Sequence, residues 1–309
     1  MSRGSEPTLT PRLPGARTPA ALAWIVRLVL PVTCLVVGCH SLNFLRPNDR
    51  PAEKIDRPPT AVTGSALPGQ YTLRIAPYVF LSDFKITQDQ PLFQELALLR
   101  DQVHKELLLP PGTATVQVYL FEDRERYERY MKDRYPDLPS RRAFFVAQPR
   151  SIGGAEDLLV YTYWGKRIRQ DLRHELTHAL LHSVIRDVPL WLDEGLAEYF
   201  ELPPEQRGTN DAHVETLHRG LASGSTRLNL ARLESLKQVD DMSPAEYREA
   251  WAWVHLMLHS PRPEAKTVLL SYLQQLRGSR PPGPLGPRLE KIFEDPEKAA
   301  FRPPGGDRR

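Results

Sequence analysis

The sequence predicts an α+β fold, with an N-terminal lobe of mixed sheet and helices followed by a mainly helical C-terminal lobe. In the first part of the chain, short apolar runs with strand-like alternation are separated by helical patterns. After about residue 184 the apolar residues recur almost only at helical spacing. We therefore place the two lobes at residues 71–183 and 184–300.

Residues 1–38 have the layout of an export signal. Arginines precede an apolar run that begins at Leu28, and this run is shorter than the roughly 20 residues of a transmembrane helix. Its end, Val36-Val37-Gly38-Cys39, resembles the lipobox of bacterial lipoproteins, in which the cysteine is lipidated. The resemblance implies an exported, membrane-anchored lipoprotein of the bacterial cell envelope, on the periplasmic face or the cell surface. An ordinary cleaved signal and an uncleaved anchor are the alternatives.

Charge and cysteine content restrict the function classes. The chain has 41 basic and 38 acidic side chains, of which four arginines and one glutamate belong to the first 38 residues. The remainder is balanced, so no charge argument favours a nucleic-acid partner. The two cysteines are Cys34, inside the predicted signal, and Cys39. The exported chain is therefore expected to fold on its apolar core without a disulfide.

The elements follow from periodicity and from helix-breaking residues. Residues 39–70 are rich in proline and polar residues, which predicts a tether. The first lobe is predicted to contain strands near residues 71–81, 115–121, 143–147 and 157–163, and helices near 91–107 and 124–132. The second lobe is predicted to contain helices near 212–221, 229–236, 244–259, 263–276 and 288–293, followed by a disordered tail at 301–309.

A metal-binding motif lies between these sets of elements. His174-Glu175-Leu176-Thr177-His178 is an H-E-x-x-H sequence on an amphipathic helix. Residues four apart share a helix face, so His174 and His178 can bind one metal ion. Glu175 then lies beside the ion and suits a general base, since zinc lowers the pKa of a bound water. His182 lies about 6 Å further along the helix axis and is predicted to be structural or exposed.

A catalytic zinc ion needs a third protein ligand. The segment from Pro189 to Phe200 predicts the next helix, and it carries Glu194 and Glu198 one turn apart. Either carboxylate could face the first helix. Two histidines and one glutamate would leave the fourth coordination position for water.

These two segments together resemble a known family. H-E-L-T-H-A-L followed by P-L-W-L-D-E-G-L-A-E-Y-F resembles the gluzincin zinc metallopeptidases, in particular the bacterial peptidase MA-like family. The resemblance implies a zincin-like fold and one zinc ion per chain, held by His174, His178 and Glu194. It implies that Glu198 supports a ligand histidine from behind. It also implies a sheet-edge strand that pairs with extended substrate, for which residues 157–163 are our candidate.

The helix that begins at Ser243 carries Tyr247, Trp251 and His255 at four-residue steps, on one face. Gluzincins commonly take a donor to the developing oxyanion from a downstream Tyr or His, so the resemblance makes Tyr247 the first candidate and His255 the second. The alternative interpretation is that these aromatic side chains only pack in the hydrophobic core.

The sequence thus predicts a zinc metallopeptidase that acts on a peptide or protein substrate, with Glu175 as general base. Endopeptidase action is slightly favoured, because Gly154-Ala155-Glu156 lacks the methionine and asparagine of the similar gluzincin aminopeptidase motif. The alternative is a lipid-anchored binding or scaffold protein that keeps the fold without turnover, since fold alone does not establish function.

Overall fold

The computed structural model describes residues 40–42, 66–149 and 156–300. Within these ranges the chain is α+β, as predicted. Its strands are β1 (His40–Leu42), β2 (Tyr71–Ile75), β3 (Tyr78–Ser82), β4 (Val116–Phe121), β5 (Ala143–Pro149) and β6 (Glu156–Tyr163). Its helices are α1 (Pro91–Leu107), α2 (Arg124–Arg134), α3 (Ile168–His182), α4 (Leu190–Phe200), α5 (Asp211–Ala222), α6 (Leu230–Ser235), α7 (Pro244–His259), α8 (Pro263–Leu276), α9 (Gly286–Leu289) and α10 (Pro296–Ala300).

The six strands form one mixed sheet in the order β1-β5-β6-β4-β3-β2. The pairs β3–β4 and β4–β6 are parallel, and the other neighbours are antiparallel. The single strand predicted at 71–81 is in fact the hairpin of β2 and β3, which turns at Ala76-Pro77. Proline lacks the N–H that a continuous strand would donate to its neighbour, which favours a break there.

The strand predicted to be at the sheet edge lies inside the sheet. Strand β6 pairs with β5 on one side and with β4 on the other, so its backbone groups are already used. Residues 158–162 of β6 are buried on both faces, as expected for an internal strand. The prediction that this strand pairs with substrate is therefore wrong.

Each face of the sheet is covered by helices. On one face, Val118, Phe145 and Val160 belong to a large core that includes buried residues of α1 and α3. On the other face, Phe144 and Leu159 pack with an aromatic cluster on α2. Successive strand residues point to opposite faces, so Phe144 and Phe145 enter different cores.

The helical part of the chain shares its core with the sheet. Buried residues of α4, α7 and α8 belong to the same cluster as those of β4, β5 and α3. Helix α4 packs between α3 and α7, and a side chain at Gly195 would come within 2.7 Å of the Ala250 carbonyl oxygen. The two predicted lobes are therefore joined by a continuous apolar interior, with α4 at their junction.

Helices α1, α7 and α8 begin and end where they were predicted, whereas α9 begins two residues earlier than predicted. The predicted signal peptide (1–38), Cys39 and the tail (301–309) lie outside the described residues, as does the tether apart from 40–42 and 66–70. No helix among the described residues has both the length and the apolar character needed to cross a membrane.

Candidate metal centre

The H-E-x-x-H helix is fixed to its neighbour by a buried arginine. Arg173, which precedes the motif, is 1% exposed. Its Nε donates to the Phe200 carbonyl oxygen at 3.0 Å, and its Nη2 donates to that of Leu202 at 2.8 Å. Phe200 is the last residue of α4 and Leu202 lies two residues beyond it, so the guanidinium lies at the C-terminal end of the helix, where a cation is favourable. The interaction sets α3 against α4 and hence sets the distance between the candidate ligands.

The three predicted ligands meet in the interior. His174, His178 and Glu194 are fully buried, and one ligand atom from each lies within 4.8 Å of the others. The Oε2 atom of Glu194 is 3.4 Å from Nε2 of His174 and 3.6 Å from Nε2 of His178. Both Nε2 atoms are buried without a hydrogen-bond partner. Buried polar atoms rarely stay unsatisfied, so this convergence fits a site that holds a metal ion.

The opposite nitrogen of each ring meets a second carboxylate. Nδ1 of His178 is 2.9 Å from Oδ1 of Asp193, and Nδ1 of His174 is 3.1 Å from Oε2 of Glu201. Such carboxylates fix the tautomer and the direction of a ligand imidazole. Burial alone would lower the pKa of His178, but the charges of Asp193 and Glu194 outweigh this effect and raise it to about 9.

Glu198, which was predicted to support a ligand histidine, has its described hydrogen bond with His213 instead, at 2.9 Å between Oε2 and Nε2. It still lies near the centre, because one of its oxygens is within 4.8 Å of ligand-type atoms of His174 and Glu201. The carboxylate seen at Nδ1 of His174 is therefore that of Glu201, seven residues beyond Glu194. Sequence reasoning singled out neither Glu201 nor His213.

His182 is structural and largely buried rather than exposed. Its Nε2 is 3.2 Å from Oδ2 of Asp193, and its Nδ1 is 3.2 Å from the Arg186 carbonyl oxygen. Asp193 thus lies between His178 and His182. The ring of Phe145 stacks on both histidines, with centroid distances of 6.2 and 5.4 Å. A signal for Asp193 was present in the sequence, because charged residues within so apolar a helix need buried partners.

Glu175 is fully buried beside the ligands, as the motif predicts. Burial raises its pKa to about 7, with contributions of the same sign from Glu194 and Asp171, although the charges of His174 and His178 lower it. A carboxylate with a pKa near neutrality can both accept and return a proton.

The two candidate donors on α7 lie in different surroundings. Burial raises the pKa of Tyr247 far above its ordinary value and the charge of Glu194 raises it further, which puts this side chain within electrostatic reach of a ligand. The ring of His255 packs at a tilt against those of Trp251 and His259, and its Nε2 is 3.4 Å from Oγ1 of Thr209. Among the described contacts, none joins His255 to a candidate ligand.

Residues 170–282 match a family described as a protein of unknown function, DUF1570. The matched range begins in the first turn of α3 and includes His174, His178, Glu194 and helix α7. No curated protein matches the chain.

Proposed function

We propose that this protein is a zinc-dependent peptidase of the gluzincin type, with a zincin-like fold and one zinc ion per chain. The observation that carries the proposal is the convergence of His174, His178 and Glu194 in the interior, with Glu175 buried beside them. Two histidines and one glutamate form a ligand set found in catalytic zinc sites of peptidases. A purely structural zinc site would more commonly be closed by four protein ligands.

The chain's own residues would perform the proton transfers. Zinc, when bound, supplies a Lewis acid that lowers the pKa of water and polarises the substrate carbonyl. Glu175 would accept a proton from the attacking water and pass it to the leaving nitrogen, for which its buried position beside the ligands is suited. Asp193 and Glu201 would hold the two imidazoles in place throughout.

Tyr247 is our candidate for the donor that stabilises negative charge on the carbonyl oxygen. A phenol with a strongly raised pKa keeps its proton and can donate a hydrogen bond at neutral pH. The charge of Glu194 acts on Tyr247, whereas none of the described contacts joins His255 to a candidate ligand, which favours Tyr247.

The proposed place of action is the bacterial cell envelope, with export directed by residues 1–38 and lipid attachment at Cys39. The substrate would be a peptide or protein, with internal cleavage slightly favoured. The alternative function is that of a lipid-anchored binding or scaffold protein, which would bind zinc but hydrolyse no peptide.

Metal analysis of the purified chain tests the site. We expect close to one zinc ion per chain and its loss in Glu194→Ala, because the third ligand is removed. Glu215→Ala, at an ion-paired and exposed position on α5, should keep the metal and serves as the control. A wild-type chain that stays metal-free after incubation with zinc would refute the proposed site.

Hydrolysis of a broad peptide library then tests catalysis. Glu175→Gln should keep its zinc and fold but lose at least about a hundredfold in turnover, since general-base catalysis contributes roughly 10²–10⁴-fold. No cleavage by a zinc-loaded wild type would favour the non-catalytic alternative. Equal cleavage by wild type and Glu175→Gln would remove the proposed base.

A further inference from the structure

Two neighbouring arginines precede β5, and among the described residues only Arg142 forms an ion pair with a carboxylate. Arg142 binds Asp171 through two nitrogens, at 3.2 Å from Nε and 2.9 Å from Nη2. Arg141 is partly buried, and its Nη1 is buried without a hydrogen-bond partner. No carboxylate among the described residues forms an ion pair with Arg141. A buried guanidinium nitrogen without an acceptor is costly, and a bound ligand could satisfy it.

Arg141 borders the metal centre through Tyr247. Helices α4 and α7 approach so closely at Gly195 that an added Cβ would meet Val254 as well as Ala250. Glu194 is the residue before Gly195, and Tyr247 lies one helical turn before Ala250 on α7. Arg141 lowers the pKa of Tyr247 by its charge and by a side-chain hydrogen bond, whereas Glu194 raises it. Tyr247 therefore interacts with Arg141 and with a candidate ligand.

Among the described residues, Arg141 differs from Arg142 and Arg173 because it has no acidic partner. The carboxylates of Glu175, Asp193, Glu194 and Glu201 are all buried there. Arg173 is already used by carbonyl oxygens and Glu95, and Arg142 by Asp171. A guanidinium presents a planar fork of donors that matches a carboxylate with two parallel hydrogen bonds.

We propose that Arg141 binds a carboxylate of the substrate next to the metal centre and so sets the substrate class. This inference rests on the proposed peptidase function and extends it to specificity. The carboxylate could be the C-terminus of a peptide, which would make the protein a carboxypeptidase. It could instead be an Asp or Glu side chain, which would make it an endopeptidase that cleaves near acidic residues.

Binding of zinc-chelating peptide probes tests the inference without requiring turnover. We would titrate the zinc-loaded chain with hydroxamate peptides of one sequence that differ at one group: a C-terminal carboxylate, a C-terminal amide, or an Asp side chain in place of Asn in the amidated peptide. We expect one of the two carboxylate probes to bind at least about tenfold more tightly than its neutral counterpart, since hydrogen bonds to charged groups are the strong ones. The probe that gains identifies the source of the carboxylate.

Three variants separate Arg141 from general effects. Arg141→Gln should lose the preference for the carboxylate probe while keeping its zinc and its affinity for the neutral probe. Arg141→Lys should keep part of the preference, because it retains the charge but not the fork. Arg129→Gln, on the exposed face of α2, should behave as wild type.

Equal binding of charged and neutral probes by the wild type, or an unchanged preference in Arg141→Gln, would overturn the inference. A chain that showed the preference but hydrolysed nothing would instead refute the peptidase proposal while leaving the carboxylate site in place. The two failures are therefore distinguishable.

Discussion

At the scale of single residues, the candidate centre depends on which nitrogen of each histidine points inward. Asp193 and Glu201 meet the Nδ1 atoms of His178 and His174, which leaves both Nε2 atoms directed at Glu194. Glu201 is hydrogen-bonded to Nδ1 of His174, and the charge of Asp193 lies 2.9 Å from Nδ1 of His178. Carboxylates placed in this way favour the ring orientations that direct Nε2 inward. The geometry of the three ligands is therefore already set by residues that would not touch the metal.

The substitution Asp193→Asn tests this arrangement. It keeps the size of the side chain but removes the charge opposite Nδ1 of His178, so we expect zinc affinity to fall by about tenfold to a hundredfold. Competition with a chelator of known affinity would measure the change. Asp187→Asn, in the exposed turn between α3 and α4, is the matched control. Unchanged affinity in Asp193→Asn would show that the carboxylate does not position the ligand.

His255 gives a prediction on pH dependence that is separate from the metal. Burial lowers its pKa from 6.5 to about 4, and the positive charges of His259 and Arg207 contribute in the same direction. The unfolded chain therefore binds this proton first, so stability is lost as the pH falls from about 6.5 to 4. His255→Gln should reduce this loss by an amount on the order of 2 kcal/mol, after allowance for partial exposure.

Urea unfolding of the chelator-treated protein at several pH values would measure the effect of His255→Gln. His218→Gln on α5 is the control, and it should follow the wild-type curve. If the His255→Gln and wild-type curves stay parallel between pH 7 and 4.5, His255 is not the residue responsible.

The sequence could predict the ligands because their spacing is a local property of one helix and the next. His174, Glu175 and His178 lie within five residues, and Glu194 stands in a recognisable string. Which carboxylate reaches Nδ1 of His174 depends on how α3 and α4 cross. Glu198 and Glu201 lie four and seven residues after Glu194, so both share its helix face, and only the three-dimensional packing distinguishes them.

At the scale of elements, α4 is the helix on which the centre depends. All of its residues are buried, and it packs against α3 on one side and α7 on another. Gly195 is needed for this close packing, because α7 leaves no room for a Cβ. Sequence patterns predict an apolar helix here, but they contain no measure of the distance between helices.

Gly195→Ala should therefore destabilise the protein. The added methyl group would lie 2.7 Å from a backbone oxygen of α7, which cannot move aside without shifting the helix. We expect a loss of about 1–3 kcal/mol in the free energy of unfolding, although alanine favours helix more than glycine does. Gly283→Ala is the control, because nothing lies within 4 Å of its added Cβ. Denaturant unfolding would measure the difference. Equal free energies of unfolding for Gly195→Ala and the wild type would contradict the close packing of α4 against α7 at Gly195.

The position of β6 shows a limit of strand prediction. The apolar run at residues 157–163 identifies a strand, and the structure confirms it at Glu156–Tyr163. The order of strands in the sheet depends on contacts between distant segments, which alternation does not report. The run at residues 158–162 contains no charged residue and no proline, which is typical of an internal strand, because an edge strand tends to carry such residues.

At the scale of the whole molecule, a bound metal would join α3 and α4, which lie at the junction of the sheet and the helical part. Because the ion would bind the folded chain and not the dispersed ligands of the unfolded chain, its removal should lower the unfolding temperature. At zinc concentrations about a hundredfold above Kd the stabilisation is about 2.7 kcal/mol, which corresponds to a fall of about 5 °C or more on chelation.

Thermal unfolding with and without a chelator would measure this fall. Glu194→Ala should unfold at one temperature under both conditions, since it has no metal to lose. A wild type that is insensitive to chelation would show that the ion adds little to the stability of the fold.

Strand β1 has a consequence for where such an enzyme could work. It begins at His40, directly after the proposed lipid attachment at Cys39, and its Ser41 pairs with Phe145, whose ring stacks on His178. One extended residue spans at most about 3.6 Å and neighbouring strands lie about 4.8 Å apart. A lipid at Cys39 would thus hold the metal centre within about 2 nm of its attachment point. Because β1 pairs with β5, the segment between the lipid and the sheet would be too short to act as the tether predicted at residues 39–70. The substrates would therefore have to come to the bilayer surface.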